Sequence, residues 1–271
     1  MPTRQIHGIE YSFQQSGSGH PLVLLHGFTG RAASWQPALP FLTDRFCIMA
    51  PDLIGHGETD APRAARRYRM EHVAADLAEL IGRFASQPVH LLGYSMGGRL
   101  ALYFARYYPQ MVSRLVLESA SPGRAAPEQR LERSIADEAL AGRIEDEGIA
   151  AFVDYWSTLP LFAGRNRLPM AQREKLRAQQ LTNRPWGLAN SLRGMGTGVQ
   201  PSLWEDLAVI DMPVCLIVGE QDPKFRAIAE SMERLIRDVK AVIIPDAGHT
   251  THLEQPILFS HAVREFLEQE Q

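Results

Sequence analysis

Cysteine and lysine are the scarce residues of this 271-residue chain, which has two cysteines and three lysines against 25 arginines. Cys47 and Cys215 each sit inside an apolar run that reads as a buried strand. Two such residues without metal-ligand spacing exclude a disulfide framework and a cysteine-based metal site. The expected compartment is therefore reducing, the cytoplasm. Positive charge is not in excess either: a net charge of −3 argues against nucleic acid, whose binders are normally basic. No run approaches membrane-spanning length, and residues 1–7 lack the apolar core of a signal peptide. Repeats and low-complexity tracts are missing too. What remains is a chain with 45% hydrophobic residues, enough for one large α/β domain or two small ones. We expect a protein with no membrane or nucleic-acid partner, either a monomer or a weak homo-oligomer.

Short apolar runs alternate with longer helical patterns. Strand-like runs occupy residues 21–25, 46–49, 89–92, 114–117, 214–218 and 241–244. Apolar on both faces, they suit a mostly parallel central sheet covered by helices. Residues around Gly8 read as an opening hairpin. Helical patterns run over 70–83, 99–108, 224–236 and 256–268, an alternation that marks the α/β class. It stops between residues 122 and 200, where no strand is evident but helical patterns cover 128–142, 148–156 and 170–181. We divide the chain into a core, 1–121 with 201–271, and a helical cap inserted at 122–200. Four arginines between Arg63 and Arg69 read as a solvated loop.

The segment Leu91-Leu92-Gly93-Tyr94-Ser95-Met96-Gly97-Gly98 carries the chemistry. Gly-x-Ser-x-Gly alone is a weak pattern that a surface turn would also satisfy. Here an apolar strand precedes it and an amphipathic helical pattern follows, the setting of a nucleophile elbow. Such a turn exposes Ser95 at the strand's end. The helix N-terminus behind it favours negative charge on whatever the serine meets.

A neutral hydroxyl is a poor nucleophile or base, so Ser95 needs an imidazole oriented by a carboxylate. Asp222, in Gly219-Glu220-Gln221-Asp222-Pro223, follows a strand and is the leading acid, with Glu220 as competitor. Asp222 also suits an ordinary N-cap, with Pro223 as the first helical residue. Among nine histidines, His249 lies after the final strand, at the same sheet edge as Ser95 and Asp222. His252 is the alternative, and His26, His56 and His72 suit structural or surface roles. Developing negative charge needs donors, for which the backbone N–H groups of Met96 and Phe28 are candidates. Phe28 follows the first core strand in Leu25-His26-Gly27-Phe28-Thr29-Gly30.

Together, His26-Gly27-Phe28, Asp52-Leu53-Ile54-Gly55-His56-Gly57, Gly93–Gly97, Asp222 and Gly248-His249 resemble the α/β-hydrolase superfamily across nearly the whole chain. A narrower resemblance lies in Gly93–Arg99, Leu117–Gly123, Phe152–Trp156, Pro160-Leu161-Phe162 and Leu188–Gly198 with Gln200-Pro201. It is to the 2-succinyl-6-hydroxy-2,4-cyclohexadiene-1-carboxylate synthases, lyases that eliminate pyruvate in menaquinone biosynthesis. The resemblance implies a small polycarboxylate substrate, a Ser95–Asp222–His249 triad in which Ser95 acts as a base, and no cofactor or metal. Tyr94, Arg99, Arg133, Trp156 and Arg177 would bind the substrate. Arg99 has a physical argument of its own. Four residues after Ser95, it lies one helical turn along the same face, where a guanidinium suits a carboxylate. A serine hydrolase of esters or carbon–carbon bonds is the alternative, and a ligand receptor keeping the triad for binding is a third reading. A serine at position 95 disfavours the dehalogenases and epoxide hydrolases that use aspartate.

Overall fold

The computed structural model describes residues 1–269. Eight strands form one sheet in the order β1-β2-β4-β3-β5-β6-β7-β8. They are β1 (Thr3–Ile6), β2 (Ile9–Ser16), β3 (His20–Leu25), β4 (Phe46–Pro51), β5 (Val89–Tyr94), β6 (Val112–Glu118), β7 (Val214–Gly219) and β8 (Val239–Ile244). β1 and β2 are the opening hairpin, turning at His7 and Gly8, both with positive φ. β2 meets β4 antiparallel, and every pairing from β4 to β8 is parallel.

Alternate residues of the buried strands feed two cores. Val23, Leu25 and Leu91 face a cluster with Leu100 and Phe104, whereas Leu22, Leu24 and Leu92 face one with Trp35 and Phe259. The first is covered by α1 (Met70–Phe84) and α2 (Met96–Tyr107), the second largely by α8 (Pro256–Leu267). β8 departs from the expected two-sided burial. It is the edge strand, and Ile243 is 48% exposed.

Between β6 and β7 run α3 (Pro127–Ser157), α4 (Met170–Leu181) and α5 (Pro185–Met195). α3 joins two of the expected helical patterns across a break at Gly148, where φ is 81°. α5 was not expected. Its sequence, Pro-Trp-Gly-Leu-Ala-Asn-Ser-Leu-Arg-Gly-Met, is interrupted by two glycines that weaken a helix on its own, and packing overrides that preference. Gly187 lies against the backbone of Gly55, and Gly194 against Tyr68, where a side chain would collide. The 63–69 arginine cluster is only partly solvated: Arg67 pairs with buried Asp76 at 2.7 Å, and Arg63 stacks over Trp186. After β7 come α6 (Pro223–Glu233) and, past β8, the single turn α7 (Thr251–Glu254).

Candidate active site

Three carboxyl-end crossings of the parallel sheet converge on one point. β5 ends at Tyr94, α2 begins at Met96, and Ser95 between them has φ 51° and ψ −106°. Positive φ in a residue with a side chain is strained and is held only where the surroundings over-determine it. Gly93 and Gly97 supply that constraint. A methyl group on Gly93 would strike the Gly97 carbonyl, and one on Gly97 the Leu25 carbonyl. The Ser95 N–H donates to the Glu118 carbonyl at 2.9 Å, fixing the turn to β6.

Ser95 Oγ lies 3.2 Å from His249 Nε2, and His249 Nδ1 lies 2.7 Å from Asp222 Oδ2. Both readings of Asp222 hold at once, because its other oxygen, Oδ1, accepts from the Phe225 N–H and caps α6. Asp222 and His249 are buried, and Phe225 packs on the imidazole with ring centroids 4.5 Å apart. Burial pushes the His249 pKa below its ordinary value against the opposing pull of Asp222, which favours the neutral imidazole a base requires. Glu220 is turned away and accepts from the Asp246 N–H. His252 is directed elsewhere, onto buried Glu118.

The loop carrying Phe28 runs beside the serine. A Cβ on Gly27 would stand 2.5 Å from the Tyr94 ring and 3.5 Å from Ser95 Cβ. His26 ties this loop down. Its Nδ1 bonds to the Gly27 carbonyl at 2.8 Å, and its Nε2 accepts from the Leu53 N–H at 2.9 Å. Asp52 completes the bracing by accepting from the N–H groups of Ala32 and Glu58. The 52–57 motif thus positions the loop rather than facing the cavity. His72, on α1, is exposed.

The sheet edge and the inserted helices enclose a cavity of about 620 Å³ lined by Ser95, His249, Phe28, Tyr94, Met96 and Trp156, among others. Arg99 and Arg133 are also in its wall. Arg99 Nη1 donates to the Met195 carbonyl at 2.6 Å and to Gln200 Oε1 at 2.8 Å. Burial lowers the Arg99 pKa to about 10, so it stays charged at neutral pH. Arg133 bonds to Asp137, and its Nε is a buried donor with no protein partner among the described residues. Trp156 Nε1 is another. Arg177 is not in this wall. It sits on largely exposed α4 and donates twice to Asp154, at 2.8 and 3.0 Å.

Several residues near the site escaped the sequence reading. Arg165 donates to Thr250 Oγ1 at 3.0 Å and to the Tyr94 hydroxyl at 3.3 Å, and stacks over Phe162. Among 25 arginines nothing local distinguishes it. Arg124 and Lys224 line the cavity as well, and Lys224 had a usable signal in its place two residues after Asp222. The described residues contain no cluster suited to a metal ion and no helix long and apolar enough to cross a membrane.

Comparison with known proteins places this geometry among relatives. The family described as alpha/beta hydrolase fold matches residues 20–170. A Bacillus subtilis protein provisionally named 2-succinyl-6-hydroxy-2,4-cyclohexadiene-1-carboxylate synthase is 46% identical over 96% of this chain and 95% of its own. The structure of MenH from S. aureus superposes with a TM-score of 0.91 at 35% identity, covering 95% of this chain and 97% of that one. A malate-bound thermophilic esterase from Thermogutta terrifontis superposes at 0.87 with 30% identity, covering 98% of both chains.

Proposed function

The chain belongs to the alpha/beta hydrolase fold family, and we propose that it is a 2-succinyl-6-hydroxy-2,4-cyclohexadiene-1-carboxylate synthase, the menaquinone-pathway lyase. Its substrate is 2-succinyl-5-enolpyruvyl-6-hydroxy-3-cyclohexene-1-carboxylate, and pyruvate is the leaving group. The observation that carries this reading is the charged guanidinium of Arg99 in the same cavity wall as Ser95, without a carboxylate partner. A neutral ester offers that group only an uncharged acceptor, whereas a substrate carboxylate supplies the opposite charge and a stronger, charge-assisted bond.

In the proposed mechanism the Ser95 hydroxyl proton moves to His249 Nε2. Ser95 Oγ then takes a proton from a ring carbon of the substrate. The electron pair left on carbon forms a new ring double bond, the existing ring double bond shifts along, and the ring carbon–oxygen bond to the enolpyruvyl group breaks. The departing enolate takes the proton held on His249 and leaves as enolpyruvate, which becomes pyruvate. Asp222 holds the imidazole with Nε2 free to accept and stabilises its cation. The N–H groups of Phe28 and Met96 stabilise the enolate-like charge that builds in between. Arg133 Nε and Trp156 Nε1, buried donors in the wall, suit an acceptor-rich substrate.

The test is pyruvate release from the preceding pathway intermediate. Wild-type protein should release it, and Ser95→Ala should lose on the order of 10²–10⁴-fold, the usual worth of general-base catalysis. Absence of pyruvate with the wild type rejects the reading. The esterase likeness supports a second one, hydrolysis through an acyl-enzyme on the same three residues. Rapid turnover of short-chain nitrophenyl esters that survives Arg99→Ala would favour it.

A further inference from the structure

Five cationic residues line the cavity, Arg99, Arg124, Arg133, Arg143 and Lys224, against one carboxylate, Asp137. Three of them have partners. Arg133 bonds to Asp137, Arg143 bonds to Glu147 at 2.8 Å and stacks over Tyr155, and Arg99 is held by two neutral oxygens. Among the described residues, Arg124 and Lys224 have neither an ion pair nor a side-chain hydrogen bond, and the Lys224 ammonium meets only the ring of its neighbour Phe225, 5.4 Å away.

Their placement makes that significant. Arg124 lies in the link between β6 and α3, and Lys224 in the first turn of α6, so separate elements of the chain bring them to one cavity. They are close enough to disturb each other. The Lys224 pKa is pushed below its ordinary value, first by desolvation and then by Arg124, with Arg133 adding to it and Asp222 opposing. Arg133 acts in the same direction on Arg99, so the cations of this wall are coupled to one another. Like charges gathered in a concave wall repel, and an anion relieves them. The neighbour of Lys224, Phe225, packs on His249, so Lys224 enters the wall from the element that follows Asp222. Arg99 is on the α2 side.

We propose that Lys224 and Arg124 form a second anion subsite, taking a substrate carboxylate other than the one met by Arg99. The identity of that carboxylate rests on the synthase reading, because the substrate named there carries carboxylates on its ring, its succinyl arm and its enolpyruvyl group. A molecule gripped at Arg99 and at Lys224–Arg124 is bound through separate elements of the one cavity wall that also carries Ser95.

The experiment has two arms. In steady-state pyruvate release, Lys224→Met should raise KM about 10- to 100-fold, the loss expected for one hydrogen bond to a charged group, with kcat within about threefold. Arg124→Gln should act in the same direction, and Lys224→Arg should restore most of the loss. An unchanged KM in both variants, or a fall in kcat alone, overturns the subsite. The second arm is calorimetric titration with tricarballylate and glutarate, which needs no turnover. Wild type should prefer the tricarboxylate, and Lys224→Met should lose that preference; equal tricarballylate affinity in the two proteins overturns the proposal. A wild type that releases no pyruvate removes the synthase reading while the titrations still decide the subsite. Unchanged urea midpoints show that the variants are folded.

Discussion

His252 Nδ1 lies 2.7 Å from Glu118 Oε2, and both side chains are almost wholly shielded from water. Glu118 therefore works at two places. Its backbone carbonyl accepts the Ser95 N–H at 2.9 Å. Its carboxylate accepts from the Thr251 hydroxyl and the His252 N–H, at 2.6 and 3.0 Å. One residue thus fixes the serine turn and the turn that follows His249 relative to each other.

Removing that carboxylate leaves buried donors without a partner. Glu118→Ala should lose about 3 kcal/mol of stability or more, because three buried donors each lose an acceptor at roughly 1–3 kcal/mol. Glu118→Gln, which keeps an acceptor, should lose about 1–3 kcal/mol. Urea unfolding followed by fluorescence measures both. An alanine variant as stable as wild type would contradict the anchoring role.

The pH profile follows from His249. A base must be neutral, and burial holds this imidazole below its ordinary 6.5. Accordingly, kcat/KM should rise with pH through a midpoint under 6.5 and be level at neutral pH. Asp222→Asn removes the main force opposing the shift. Its midpoint should move lower still, with a plateau reduced on the order of 10⁴-fold, as in serine-protease triads. A wild-type midpoint above 7 would refute this assignment.

Stability should respond to acid through other histidines. Burial lowers His26 to about 4 and His56 and His90 to about 3. Each stays neutral in the folded protein while the unfolded chain takes up a proton below about 6.5. Stability is therefore complete above 6.5 and declines as pH falls toward 4, by about 1.4 kcal/mol per pH unit for each group. Unfolding free energies between pH 7.5 and 5 test this, and His90→Asn should flatten the slope. A profile that is flat over that range would be the wrong outcome.

Gly27 separates the Phe28 loop from the serine turn. A methyl group there meets the Tyr94 ring at 2.5 Å, so either the loop or the ring must shift. Gly27→Ala should lower kcat by about 10²–10³-fold, the range for losing one oxyanion donor. KM should change much less. Equal losses in kcat and KM would point to general collapse of the cavity instead.

Much of this architecture is legible residue by residue. β3, β5 and β7 declare themselves as apolar on both faces, because both faces meet helices. Ser95, Asp222 and His249 each follow a strand, and parallel strands bring such positions to one edge. α5 is not legible, since Gly187 and Gly194 weaken a helix on their own and make sense only against Gly55 and Tyr68. The arginines are harder still. Arg99 is readable from helical spacing, but whether Arg133, Arg165 or Arg177 faces the cavity depends on how three inserted helices lie. In a chain this rich in arginine, local pattern carries no information about that.

Arg99 also has a consequence for the inserted helices. Its bonds to the Met195 carbonyl and to Gln200 join the helix that carries Ser95 to the end of α5 and the residues just beyond. Both bonds use Nη1 alone, which leaves Nε and Nη2 as a fork for a substrate carboxylate. Recognition of the ligand and retention of the roof above it therefore share a single cation. The roof thus holds the guanidinium in the orientation that the substrate meets.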